Sequence, residues 1–126
     1  QTHLTSNATS IAQWAAVGAL KEGDAAVEEM RKAFEERRKV ILGLIRDMPY
    51  VKVREPEGAF YVFIDIRECP LADDLEFCER LLEEKLVAAV PGAAFFAPGF
   101  VRFSYACSME NIKEGMGRLK EFLSGL

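Results

Sequence analysis

The residues best suited to chemistry lie between Val90 and Ala106, where a loop holding Pro91, Gly92, Pro98 and Gly99 runs into a strand-like stretch with one charge, Arg102. Alternate side chains of a strand face opposite ways, so Val101, Phe103 and Tyr105 share one face and Arg102, Ser104 and Ala106 the other. The bulky side chains go one way and Arg102 keeps small neighbours, which predicts room for a ligand beside its guanidinium. A planar fork of N–H donors suits a carboxylate or phosphate gripped by two parallel hydrogen bonds. Pairing with a structural acid such as Asp65, or exposure at a sheet edge, also accounts for a lone strand arginine.

Other chemistries find less support. His3 is the only histidine, so His-rich zinc sites are excluded and an intrachain Ser-His or Cys-His machine would hang on one near-terminal residue. Cys69, Cys78 and Cys107 are odd in number and widely spaced, with no CxxC pair, which fits a reducing compartment and a cytoplasmic protein. A net charge of −4 arises from acids and bases mixed along helices, so no phosphate-tracking surface and no nucleic-acid partner are expected. The uncharged run 86–101 is broken by two prolines and two glycines, so no membrane span is expected there.

The elements that must hold Arg102 follow from periodicity. A short, alanine-rich helix is predicted from about Asn7 to Gly23, and it is too apolar all round for an isolated surface helix. A long amphipathic helix follows over 24–48, with Val27, Met30, Phe34, Ile41, Leu44, Ile45 and Met48 on its apolar stripe. Strands are predicted over Val51–Arg54 and Ala59–Ile66, turning at Pro56, Glu57 and Gly58. Asp73 and Glu76 form a capping-box pattern ahead of a helix burying Leu75, Cys78, Leu81, Leu82 and Leu86. Strands at Val87–Val90 and Phe100–Ala106 come next, then a helix capped by Ser108 with Ile112, Met116, Leu119, Phe122 and Leu123 inward. The expected class is α+β: a small mixed or antiparallel sheet covered by helices, with a long N-terminal helix.

The run Val90-Pro91-Gly92, Phe95, Pro98-Gly99, Val101-Arg102 and Ser104-Tyr105-Ala106 resembles the VPG…F..PG..R.SYA stretch of the fold-type I aminotransferases, especially the aspartate aminotransferase group. Thr5-Ser6-Asn7 to Gln13, Pro56 to Tyr61, and Glu110 to Gly115 agree with the same family in the same order, so the resemblance spans essentially the whole chain. It implies that Arg102 binds the α-carboxylate of an amino-acid or 2-oxo-acid substrate, that Phe60 lines the pocket, and that Ser6 lies near the phosphate of pyridoxal 5'-phosphate. It further implies that residues 1–22 are the tail of a large cofactor domain, that residues 23–126 are the small domain with the long helix 24–48 between domains, and that the parent enzyme is a homodimer.

The family's cofactor-bearing lysine precedes the Thr-Ser-Asn stretch. The expectation is therefore a C-terminal fragment that begins at a cut edge and is inert alone, from a pyridoxal-phosphate enzyme acting on aspartate or glutamate. Phe96 departs from the family, many members of which have glycine there. A non-catalytic module for a carboxylate or phosphate, and a purely structural or dimerising piece, are the competing readings.

Overall fold

The computed structural model describes residues 2–126, without the side chains of Thr2 and Thr5. Two compact units emerge, Gln1–Ala33 and Phe34–Leu126. The elements in order are α1 (Thr2–Thr5), α2 (Ser10–Glu22), α3 (Asp24–Arg46), β1 (Lys52–Val53), β2 (Tyr61–Asp65), α4 (Asp74–Lys85), β3 (Val90–Pro91), a 3-10 turn (Gly92–Phe95), β4 (Phe100–Ser104) and α5 (Met109–Ser124).

In the first unit α2 starts three residues later than expected. Ser6 holds a left-handed backbone at φ 61°, which no helix can continue, and Thr9 takes the cap, its hydroxyl accepting from Ala12 N at 3.4 Å. No residue of α2 is buried, and Ile11, Trp14 and Leu20 stand exposed. The over-apolar composition is thus real and has no covering within this unit.

The second unit is an α+β layer. Its sheet has the order β1-β2-β4-β3 with every pair antiparallel, and Phe63 sits opposite Arg102 in the central β2–β4 ladder. Val62 and Ile64 of β2, with Val101 and Phe103 of β4, point into a core completed by α3, α4 and α5. All five apolar residues expected on α5 are buried. Ser108 caps that helix by accepting from Asn111 N at 3.1 Å.

Two stripes differ from expectation. On α3, Ile41, Leu42 and Ile45 are buried while Val27, Met30 and Leu44 are exposed. Leu42 lies about 60° from Ile45 around the helix and Leu44 about 100°, so the narrower wedge wins the core. On α4 the buried set is Asp74, Phe77, Cys78 and Leu81, whereas Leu75, Leu82 and Leu86 face out. Phe77 fixes that rotation by meeting Phe122 edge-on at 5.3 Å, and the i, i+4, i+7 spacing then carries Asp74 inward with Cys78 and Leu81.

The third strand also begins later than Val87. Leu86 ends α4 in a left-handed conformation, its N–H turned back to Leu81 and Leu82, and Val87 N reaches Leu81 O at 3.5 Å. The chain is therefore still part of the helix terminus there. It enters the sheet only at Val90, and Pro91, with no N–H to give, occupies an edge strand.

Candidate functional site

Strand alternation holds as expected: Val101, Phe103 and Tyr105 are buried, while Arg102 is half-buried and Ser104 and Ala106 are exposed on the other face. The expectation of small neighbours is corrected. The guanidinium carbon of Arg102 lies 4.3 Å from the ring centroid of Tyr61 and 4.3 Å from that of Phe95. Its own strand does supply small residues, but the adjoining strand and the loop bring in the rings, and alternation within one strand says nothing about either.

Two rings each 4.3 Å from one cation restrict its motion without consuming its N–H donors. Among the described residues Arg102 makes no hydrogen bond or ion pair, and no buried side-chain nitrogen or oxygen lacks a partner, so its donors are open to solvent. Asp65, the structural acid considered from sequence, is engaged elsewhere. It accepts from Arg67 Nε at 2.9 Å, Arg67 Nη2 at 2.7 Å and Arg67 N at 3.1 Å. The side-chain hydrogen bond from Arg67 is the largest cause that draws the Asp65 carboxyl down from 3.8 to about 2.

The loop ahead of β4 is built to place Phe95. Ala97 N donates to Gly92 O at 3.0 Å, and a Cβ on Gly92 would stand 2.1 Å from Ala97 O and 2.6 Å from Phe100 O, so only glycine fits. The carbonyl of Gly99, at φ 79°, accepts from Ile66 N at 3.0 Å, fastening the loop to the end of β2. Phe96 takes φ 58° with its ring wholly exposed, a left-handed position where glycine would be unstrained.

Phe60 is 38% exposed, with its ring 6.0 Å from Phe34 and 4.4 Å from Tyr61. Tyr61 is thus a neighbour of both Phe60 and Arg102. The preceding turn is fixed from two sides: Tyr105 donates its hydroxyl to Ala59 O at 2.9 Å, and Arg38 Nη1 donates to Pro56 O at 2.7 Å. Ser6 belongs to the first unit and is exposed. A cleft of about 700 Å³ opens on the same sheet face as Arg102, lined by Tyr61, Phe63 and Phe100 with Val53, Arg54 and Asp65.

Sequence reading missed Tyr61, Phe95 and Asp74. The last, 7% exposed, accepts from Ala93 N at 2.7 Å and Gly99 N at 3.4 Å. Asp73 beside it satisfies the cap of α4 through Leu75 N and Glu76 N, and so explained the acidic pair without Asp74. Among the described residues no His/Cys/Asp/Glu cluster suits a metal, and no helix is long and apolar enough to cross a membrane.

Fold and site define a small α+β domain whose open sheet face carries an aromatic-flanked arginine. The chain belongs to the aminotransferase class I and II family, whose model matches residues 1–119. It is 46% identical to an aspartate aminotransferase of Thermotoga maritima over 98% of this chain and 31% of that protein, and the crystal structure of that enzyme superimposes with a TM-score of 0.87. An aspartate aminotransferase of Bacillus subtilis is 43% identical over 96% of this chain and 32% of its own length. The crystal structure of an aromatic aminotransferase from Pyrococcus horikoshii gives a TM-score of 0.91 at 38% identity, covering 98% of this chain and 34% of that one. The chain thus spans about a third of the length of the curated relatives it matches.

The family implies pyridoxal phosphate, a cofactor that needs a desolvated lysine able to lose its proton. Of the seven lysines here none is buried, and Lys32, Lys39, Lys52 and Lys85 are ion-paired with Glu28, Glu35, Glu68 and Glu121. No lysine of this chain fits that role.

Proposed function

We propose that this chain is the C-terminal part of a pyridoxal-phosphate aminotransferase and supplies the arginine that grips the substrate carboxylate. In this reading residues 1–22 end the large cofactor domain, residues 23–126 form the small domain, and the working enzyme is a cytoplasmic homodimer that exchanges an amino group between aspartate or glutamate and a 2-oxo acid. Arg102 holds the α-carboxylate, Phe60 lines the pocket beside it, and Ser6 lies near the cofactor's phosphate. The chain by itself is inactive.

The observation that carries the reading is the state of Arg102: half-buried, 4.3 Å from the rings of both Tyr61 and Phe95, and without an ionic partner among the described residues. A preoriented fork gains more from a bidentate carboxylate than a freely rotating one, because less rotamer freedom is lost on binding. Holding the carboxylate fixes the substrate's amino group and Cα–H relative to the reacting centre, where orientation accounts for a large share of the rate.

The test is made in the full-length enzyme. Arg102→Ala is expected to lower kcat/KM by two or more orders of magnitude, roughly the 3 kcal/mol of a charge-assisted bond pair, while cofactor absorbance persists. Arg102→Lys should recover only part of the loss, since a point charge cannot bind both oxygens in one plane. Transamination unaffected by either change would refute the assignment.

A further inference from the structure

We infer that Asp74 is a positioning residue for the Arg102 grip, acting through Phe95. The inference rests on the carboxylate-binding reading above and extends it to a residue that never meets the substrate.

The two rings that flank Arg102 are held differently. Tyr61 sits in β2, whose ladder fixes it opposite Ser104. Phe95 ends a one-turn 3-10 helix in a loop, and its ring is only as steady as that turn. Phe63 touches it edge-on at 5.8 Å, but Phe95 remains 41% exposed, so packing alone holds it weakly.

Asp74 supplies what packing does not. Its carboxylate straddles the loop, one oxygen taking the N–H of Ala93 inside the turn and the other the N–H of Gly99 at the far end. It is the one buried charged residue among those described, and no cation pairs with it. A buried charge in that state costs stability unless its hydrogen bonds repay it. Helix capping does not account for it, because Asp73 already performs that task. The consequence of its bonds is a loop of fixed shape from residue 93 to residue 99, with Phe95 laid on the guanidinium.

Asp74→Asn puts an N–H₂ group against one of the two backbone N–H donors and should loosen the turn. Titrating the full-length enzyme with succinate, a dicarboxylate that cannot react, reads the grip without turnover. Asp74→Asn and Phe95→Leu are each expected to weaken succinate by about three- to tenfold, the range of one partly desolvated cation–π contact. If Asp74 acts through Phe95, the double variant is no weaker than the singles, and Phe95→Tyr, which keeps a ring face, restores affinity. Unchanged affinity in Asp74→Asn, or losses that multiply in the double variant, would overturn the inference. Asp74→Ser, which retains one acceptor, carries the same test where Asp74→Asn does not fold. Arg102→Lys in the same titration separates the two ideas: no loss there sinks the carboxylate reading itself, whereas a loss there with none at Asp74 sinks only the positioning role.

Discussion

The two faces of the sheet obey different rules, although they share the same five residues of β4. Toward the helices, Val101 and Phe103 are buried beside Val62 and Ile64, their side chains part of the apolar core. On the open face Phe100, Arg102 and Ser104 stand with Tyr61, Phe63 and Asp65, where rings, charges and solvent mix. The inner face tolerates any arrangement that fills its volume without voids, and the outer face works only if particular atoms stay in place. Stability should therefore reside in the first and ligand recognition in the second.

Truncation tests that division most sharply. Phe103→Ala, on the inner face, is expected to cost about 3–5 kcal/mol in chemical denaturation, since it removes a nearly inaccessible ring and leaves a cavity. Arg102→Ala, one residue earlier, should cost no more than about 1 kcal/mol, the worth of its cation–π contacts. Equal costs would mean that the open face is structural and would count against its role in binding.

A smaller effect probes the joint between the faces. Tyr105 is buried, yet its hydroxyl donates to Ala59 O, steadying a residue at φ 59° and the turn that carries Phe60 and Tyr61. Tyr105→Phe keeps the ring and should cost about 1 kcal/mol in thermal or chemical unfolding. A negligible cost would show the turn to be held by Arg38 and Pro56 instead.

The inner face was legible in the sequence and much of the outer one was not. Ile112, Met116, Leu119, Phe122 and Leu123 recur at helical spacing, and all five are buried because a helix with one solvent face has no other place for them. Alternation likewise put Arg102 opposite Val101 and Phe103. What alternation could not give is register: Tyr61 reaches Arg102 only because Phe63 pairs with it across the ladder, and Phe95 reaches it only through a loop closed at Gly92. Asp74 stayed hidden because an aspartate one residue away already satisfied the local pattern, and because rotation of α4 was set by Phe77 rather than by the more numerous leucines.

Acid should distinguish the faces by a still smaller margin. Arg67 holds Asp65 near 2 instead of 3.8, so the folded state binds that proton more weakly than the unfolded chain. The stability this provides is present above about pH 4 and is lost as pH falls toward 2. Glu110, lowered by its own backbone N–H and then by the Ser108 hydroxyl, adds loss in the same direction, whereas Val62, Ile64, Val101 and Phe103 on the inner face of the sheet have nothing to titrate. Asp65→Asn should therefore flatten the decline of stability between pH 4 and pH 2 without altering the plateau's slope near neutrality, as followed by unfolding at each pH. An identical acid limb in wild type and variant would mean that the exposed Asp65–Arg67 pair is too well solvated to couple to folding.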